Sequence, residues 1–368
     1  MTPHAKLNTG LLAAGVVLAL NAQAQEPSQV NFYNWSDYIA ENTLANFTEQ
    51  TGIAVTYDVF DSNEVLEAKL LAGNTGFDVV VPTGDFMGRQ IQAGAFLPLD
   101  KSKLPNYDNL DPRIMALLED KDPGNQFGIP YLWGTTGIGY NVDKVREALG
   151  EDAPVDSWDL VMKPENLEKL AQCGVAFLDA PTEIFAAALN YQGLDPNSTN
   201  LSDYRGPATE LMMKLRPHIT YFHSSKYIND LANGDICVAV GWSGDILQAR
   251  DRADEAGRGV QVAYRIPKEG ALMWVDMLTI PKDANHPDNA HKLINYLLKP
   301  EVIGEVSNYV AYANPNKNAN EFVDAEILND PGIYPSQEVA DKLYTAKLLP
   351  QKVNRAITRA WTRVKTGK

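Results

Sequence analysis

Cysteine is almost missing: the 368 residues hold two, Cys173 and Cys237. That excludes a zinc site built on thiolates, and their spacing excludes the C-x-x-C pair of a disulfide oxidoreductase. Histidine is nearly as scarce. His4, His218, His223, His286 and His291 show no H-E-x-x-H or comparable ligand spacing, so no histidine-built metal centre and no metal cofactor are expected. Positive charge is in deficit, with 32 Lys and Arg against 47 Asp and Glu and a net charge of −15. So acidic a surface repels nucleic acid and anionic lipid; it favours cationic partners or simply keeps the chain soluble. Past the first 24 residues no run approaches 18 apolar residues, which excludes a membrane-spanning helix of ordinary length.

The start of the chain sets the compartment. Lys6 precedes the apolar run "LLAAGVVLAL" (residues 11–20), and "AQA" (residues 22–24) supplies small residues for cleavage. This reads as a secretory signal over residues 1–24, the alternative being a buried N-terminal helix. No cysteine follows the cleavage point, so the product is expected free in the periplasm and not lipid-anchored. The segment carries one lysine and no acid, so its removal leaves the chain one unit more negative. An exported chain of this length should form two domains, and its even cysteine pair reads as a disulfide, with two buried thiols as the alternative.

Along the mature chain, short β-like and helix-like segments alternate. "VNFYN" precedes a helix with Leu44 and Phe47 that stops at Gly52, and "IAVTYDVF" alternates apolar and polar as a half-buried strand does. A helix with Val65, Leu66 and Leu70 stops near Gly73 and gives way to the apolar strand "FDVVVP". Another helix ends at Gly94, and "TGIGYN" opens a new unit followed by a helix over residues 143–150. The alternation predicts an α/β protein with largely parallel sheets, whose ligands bind off the carboxyl ends of strands. "LDPNSTNLSDYRGPA" (residues 194–208) reads as surface loop. Near the C-terminus Val353, Ile357, Trp361 and Val364 form an apolar stripe with basic residues opposite, which predicts a helix docked on the body of the protein rather than on a membrane partner.

No catalytic constellation stands out. "GWSGD" (residues 241–245) lacks the G-x-S-x-G order of a nucleophile elbow, and "WGTTGIGY" has neither dinucleotide nor P-loop spacing. What recurs is tryptophan beside aspartate. "NWSDY" holds Trp35 and Asp37, "GWSGD" holds Trp242 and Asp245, and "MWVDML" holds Trp274 and Asp276. In an extended segment residues two apart share a face, so Trp274 and Asp276 can enter one cleft. Three such pairs beside strand ends suit a ligand with methylenes and positive charge. Aromatic faces cover the methylenes and attract ammonium by about 0.5–2 kcal/mol each, and carboxylates add charge-assisted hydrogen bonds. Each tryptophan alone reads as core; together they want a cation. None of these segments holds the arginine that would grip an α-carboxylate.

At these residues the chain resembles the periplasmic polyamine-binding proteins of ABC importers, most closely the putrescine-binding ones. The resemblance runs over essentially the whole mature chain, in "YNWSDYIA", "YDVFDSNEVLEAKLLAG", "GFDVVVP", "TTGIGYNVDKV", "YFHSSKYINDLANGDICVAVGW", "IPKEGA" and "RAWTRVKTGK". It implies a type II-like fold of two lobes, each a mostly parallel sheet flanked by helices, closing over a ligand between them. Residues 27–134 with 256–306 are expected to form one lobe, and 135–255 with 307–368 the other. By the resemblance, Trp35, Ser36, Asp37 and Tyr38 line the cleft from the first lobe, with Thr83 where these proteins usually carry serine. Glu183 corresponds to the distal acid that reads the second amine. Trp242, Asp245, Asp276 and Tyr312 complete the walls, with Asp245, Asp276 and Ser36 around one ammonium. The Cys173–Cys237 pair is implied to be bridged.

Two further substitutions bear on ligand length. Trp274 stands where putrescine binders carry phenylalanine and spermidine-preferring relatives tryptophan, and Asp85 replaces a small neutral residue at the pocket mouth, unless it caps a helix. Expected partners are a polyamine, putrescine or spermidine, and an inner-membrane ABC permease, for a monomer that is not an enzyme. A sensing role is the nearest alternative, then an exported enzyme. An iron-binding site would want adjacent tyrosines, whereas Tyr309 and Tyr312 are separated.

Overall fold

The computed structural model describes residues 28–368, so the expected leader at residues 1–24 lies outside the described part. The described residues form ten strands: β1 (Gln29–Trp35), β2 (Ala54–Phe60), β3 (Val79–Val80), β4 (Gly128–Asn141), β5 (Val175–Phe177), β6 (Tyr221–Phe222), β7 (Val238–Trp242), β8 (Val262–Arg265), β9 (Leu272–Thr279) and β10 (Tyr344–Thr345). They pair in the order β2-β1-β3-β9-β4-β7-β5-β6, with β10 on β9 and β8 on β4. β1 pairs in parallel with β2 and β3, and β5 in parallel with β6 and β7. Antiparallel β4 and β9 join the two parallel groups.

β4 is the shared element. Its first half, from Gly128 to Thr135, pairs with β9, and its second half, from Thr136 to Asn141, pairs with β7 and β8. "TGIGYN" therefore does not begin a unit; it is the second half of one 14-residue strand that belongs to both sheets. β8 lies in the second sheet, so residues up to Arg265 side with it, later than the changeover expected at residue 256. In the other direction, Asn316 bridges Leu110 and Ala313 bridges Trp133, which ties part of the segment after residue 307 to the β9 side.

The helices follow their stop signals. The Thr43–Thr51 helix ends at Gly52 with φ 71°, and the Asn63–Ala72 helix starts at Ser62, whose side chain accepts from the Val65 N–H. Leu66 and Leu70 of that helix are buried, whereas Val65 is exposed. β2 lies at the edge of its sheet, and its Val59 is exposed too, so the expected alternation is only half realised. Residues 201–208, expected as loop, form helical turns in which Tyr204 is buried and its hydroxyl donates to the Ser198 carbonyl at 2.8 Å. The C-terminal Gln351–Thr366 helix buries Val353, Ile357, Trp361 and Val364. Cys173 and Cys237 are joined in a disulfide that closes 64 residues of separation. No helix among the described residues is long and apolar enough to cross a membrane.

Candidate ligand cavity

Parallel strands deliver their carboxyl ends to one place. β1 ends at Trp35 in register with Phe60 at the end of β2. β5 leads to the Pro181–Tyr191 helix, with Glu183 in its first turn, and β7 to the Ser243–Ala256 helix, with Asp245 in its first turn. Helix N-termini favour negative side chains, which offsets part of the cost of burying these two acids. Asp276 comes from the opposite direction, on antiparallel β9, where it bridges Thr83. The result is a cavity of about 420 Å³ lined by Trp35, Ser36, Tyr38, Phe60, Asp61, Thr83, Glu183, Ser224, Ser225, Trp242, Asp245, Trp274, Asp276 and Tyr312.

Its walls are aromatic. Trp35 meets Trp242 edge-on at 5.4 Å between ring centroids, Trp242 meets Trp274 at 6.4 Å, Trp274 meets Tyr312 at 5.4 Å, and Tyr312 meets Tyr38 at 5.1 Å. Edge-to-face packing of this kind fixes the rings and leaves π faces free. Close approach needs glycine: a Cβ on Gly244 would overlap the Tyr312 ring, and one on Gly134 would sit 2.8 Å from Ser243 Oγ.

Three carboxyl groups face the same space. Asp245 accepts from the Tyr227 and Tyr312 hydroxyls, each at 2.7 Å. Asp276 accepts from Tyr38 at 2.9 Å and Thr83 at 2.6 Å, and Asn63 in turn donates to Thr83 Oγ1 at 2.8 Å. Glu183 accepts from the Thr136 hydroxyl and from Trp242 Nε1 at 3.0 Å. Burial pushes all three up to about 7 and outweighs these hydrogen bonds, while the nearby acids raise them further. Among the described residues no lysine or arginine lines the cavity. An arrangement of buried, oriented carboxyls without a cation is built to receive one, or more than one.

Of the twelve positions expected from the sequence, ten line this cavity and two do not. Asp37 adopts φ 54°, and that left-handed turn carries its carboxylate outward to Arg252, at 2.7 Å. The first Trp/Asp pair is therefore split, Trp35 inside and Asp37 outside. Asp85 is not among the residues that line the cavity, and it is not a cap: Thr83 holds the N-cap position, and Asp85 sits in the first turn of the Gly84–Gln92 helix, in an adjoining pocket that shares Thr83 and Trp274 with the cavity and adds Lys121 and Leu118. Burial raises its carboxyl despite Arg89 and Lys121 nearby.

Phe60, Asp61, Ser224 and Ser225 line the cavity without being among the expected positions. Each follows or ends a parallel strand at the same edge, β2 for the first two and β6 for the serines, so the rule that ligands sit at carboxyl ends could have found them. A smaller space of about 270 Å³ adjoins the cavity, sharing Trp35, Asp61, Glu183, Ser224 and Trp242 and adding Glu64 and Asp179.

The chain matches the family described as bacterial extracellular solute-binding protein over residues 42–335. It is 59% identical over 359 residues to the putrescine-binding periplasmic protein PotF of Escherichia coli, covering 97% of each chain. It is 56% identical over 368 residues to the putrescine-binding periplasmic protein SpuD of Pseudomonas aeruginosa, covering 100% of each. Among solved structures it superposes on the spermidine/putrescine ABC transporter substrate-binding protein PotD from Streptococcus pneumoniae with a TM-score of 0.74, at 29% identity over 92% of this chain and 99% of that one. The two-sheet α/β architecture, the matched segment and these relatives together establish that the chain belongs to the bacterial extracellular solute-binding protein family.

Proposed function

We propose that this chain is a periplasmic receptor that captures a polyamine between its two lobes and delivers it to an inner-membrane ABC permease. The observation that carries the reading is the set of three buried carboxyls, Asp245, Asp276 and Glu183, in one aromatic-walled cavity lined by no cationic side chain among the described residues. Asp245 and Asp276 suit one ammonium, Glu183 the other, and the tryptophans cover the methylenes between. The names of PotF and SpuD support putrescine as the ligand. Trp274 and the adjoining acidic space favour a longer polyamine as the second reading. The same relatives support a receptor and not an enzyme.

A leader ending at residue 24 with no following cysteine supports a protein free in the periplasm, and the shared β4 supports lobes that turn about the crossing strands. The pairing partners of β4 and β8 support lobe limits near Thr135 and Arg265.

Thermal unfolding of ligand-stripped protein tests the ligand class, because a ligand that binds only the folded state raises Tm. Putrescine, cadaverine, agmatine and spermidine are the probes, with glutamate and lysine as controls. A rise with at least one polyamine and none with glutamate supports the reading; a rise with glutamate alone overturns it. Uptake of labelled putrescine in cells without the cognate permease separates transport from sensing.

A further inference from the structure

The C-terminal helix, Gln351–Thr366, has two faces. Val353, Ile357, Trp361 and Val364 are buried against the body, as the sequence pattern implies. Lys352, Arg355, Arg359 and Arg363 are all exposed. At about 100° per residue these four fall within an arc of about 80°, so they form one stripe. Among the described residues none of the four has an ion-pair partner, whereas the next lysine, Lys365, meets Asp179 at 2.8 Å.

On a chain with 47 acidic and 32 basic residues, four adjacent cations without a carboxylate are an exception. Local helix energetics does not account for them. Arg363 near the C-terminus complements the helix dipole, but Lys352 lies in the first turn, where a cation opposes it, and no acid is present there. Arg355, Arg359 and Arg363 also follow one another at i,i+4, a spacing at which like charges repel.

The stripe is next to something that depends on both lobes. Gln351, Asn354, Ile357 and Thr358 of the same helix line a groove of about 1230 Å³, whose opposite wall is Glu64, Glu67 and Leu71 from the Asn63–Ala72 helix with Phe86 and Arg89 from the Gly84–Gln92 helix. The Gly84–Gln92 helix packs on β9 and the Asn63–Ala72 helix on the Gly84–Gln92 helix, whereas the C-terminal helix packs on the Pro181–Tyr191 and Thr209–Leu215 helices, so the groove has this shape only with the two sides together. Glu64, Phe86 and Thr182 are common to it and to the space adjoining the ligand cavity.

We propose that the basic stripe Lys352–Arg355–Arg359–Arg363 is the electrostatic contact for an acidic periplasmic segment of the permease, placed so that its partner also meets the groove that lobe closure creates. The inference rests on the transport reading above. A protein partner fits better than a bilayer, because a net charge of −15 repels an anionic membrane as a whole while a short acidic segment meets only the stripe. Contacts of this kind set association rate and salt dependence more than they set residence.

The test is receptor-stimulated ATP hydrolysis by the cognate permease in phosphatidylcholine proteoliposomes, across a salt series. It uses the full mature chain and two fourfold variants, K352E/R355E/R359E/R363E and K352Q/R355Q/R359Q/R363Q, with putrescine affinity and Tm measured on each. The expected result is unchanged putrescine affinity, and a receptor concentration for half-maximal stimulation raised about tenfold or more by reversal, less by neutralisation, with the difference shrinking as salt rises. Wild-type and both variants stimulating alike overturns the inference and leaves the transport reading intact. Stripe-dependent binding to phosphatidylglycerol vesicles combined with equal stimulation overturns it in favour of a membrane contact. A wild-type receptor that stimulates nothing overturns both readings.

Discussion

The Tyr312 hydroxyl donates to Asp245 Oδ1 at 2.7 Å and accepts from the Asp245 backbone N–H at 3.1 Å. One phenol thus holds both ends of a residue in the first turn of the Ser243–Ala256 helix, while the same ring packs on Tyr38 and Trp274. The carboxyl of Asp245 is thereby held in one orientation, the preorganisation that its proposed role as a partner for ammonium calls for.

Removing an acid should cost more than removing its orienting hydroxyl. Asp276→Asn is expected to weaken putrescine binding at least about tenfold, because a desolvated ammonium loses a charged partner. Tyr312→Phe should cost less, a few-fold, since Tyr227 still donates to Asp245. Calorimetric titration of both variants checks the order; an Asp276→Asn protein with wild-type affinity removes Asp276 from the site.

The pH dependence has a defined sign. Asp245, Asp276 and Glu183 titrate near 7 in the folded chain, above their ordinary range, so the free native state holds protons that the unfolded chain has released by about pH 5. Stability of the free protein should therefore fall as pH rises from about 4 to 7 through these groups. Affinity for a polyamine should move the other way, weakening at least about tenfold from pH 8 to pH 6, because bound ammonium needs the ionised acids. Titrations at pH 6, 7 and 8 measure it; affinity independent of pH contradicts it.

Gly244→Ala puts a methyl into the Tyr312 ring, against Cδ2. The ring must shift, and overpacking of this kind costs about 1–3 kcal/mol. Both Tm and putrescine affinity should drop, and a crystal structure of the variant should show Tyr312 displaced from Asp245.

Arg252 and Asp37 pair across the two parts of the molecule, and Gln248 Nε2 also donates to the Asp37 carbonyl at 3.3 Å. Both charged side chains are over a third exposed, so the pair is worth under about 1 kcal/mol. Arg252→Ala should weaken binding less than about fivefold, mainly through faster release. A double-mutant cycle with Asp37→Ala by stopped-flow isolates the pair; full additivity of the two changes denies it a role.

Eliminating the Cys173–Cys237 bridge as the double serine variant should lower stability by about 4 kcal/mol, from the chain entropy of a closed loop of that length. Putrescine affinity at 25 °C should stay within a few-fold of wild type, since neither cysteine lines the cavity. Denaturant unfolding and calorimetry separate the two effects.

Much of this structure is legible in the chain. Strand–helix alternation and glycine stops locate most elements because each is a local property of side-chain pattern and backbone freedom. Trp274 and Asp276 can be read together because residues two apart on a strand share a face whatever surrounds them. Asp37 escapes such a reading because its direction depends on a single left-handed φ, which sequence spacing does not encode. Asp85 escapes it for a related reason: a first-turn acid can face either side of its helix, and tertiary packing against Leu118 and Lys121 decides. β4 reads as two pieces because Gly134, Gly137 and Gly139 look like breaks beside the passage between sheets, whereas the pairing that keeps the strand continuous comes from distant partners. Asp61 and Ser224 follow strand ends, so the carboxyl-end rule points toward them, but which strand ends converge on one cavity is a long-range property.

The most direct measurement is calorimetric titration of ligand-stripped protein with putrescine at pH 7, run in two buffers of different ionisation enthalpy. If buried carboxyls near 7 receive the two ammonium groups, binding should be one-to-one and release roughly one to two protons per ligand, seen as a buffer-dependent heat. Binding without proton release would contradict the role given to Asp245, Asp276 and Glu183, and no binding of putrescine, cadaverine, agmatine or spermidine would contradict the polyamine reading itself.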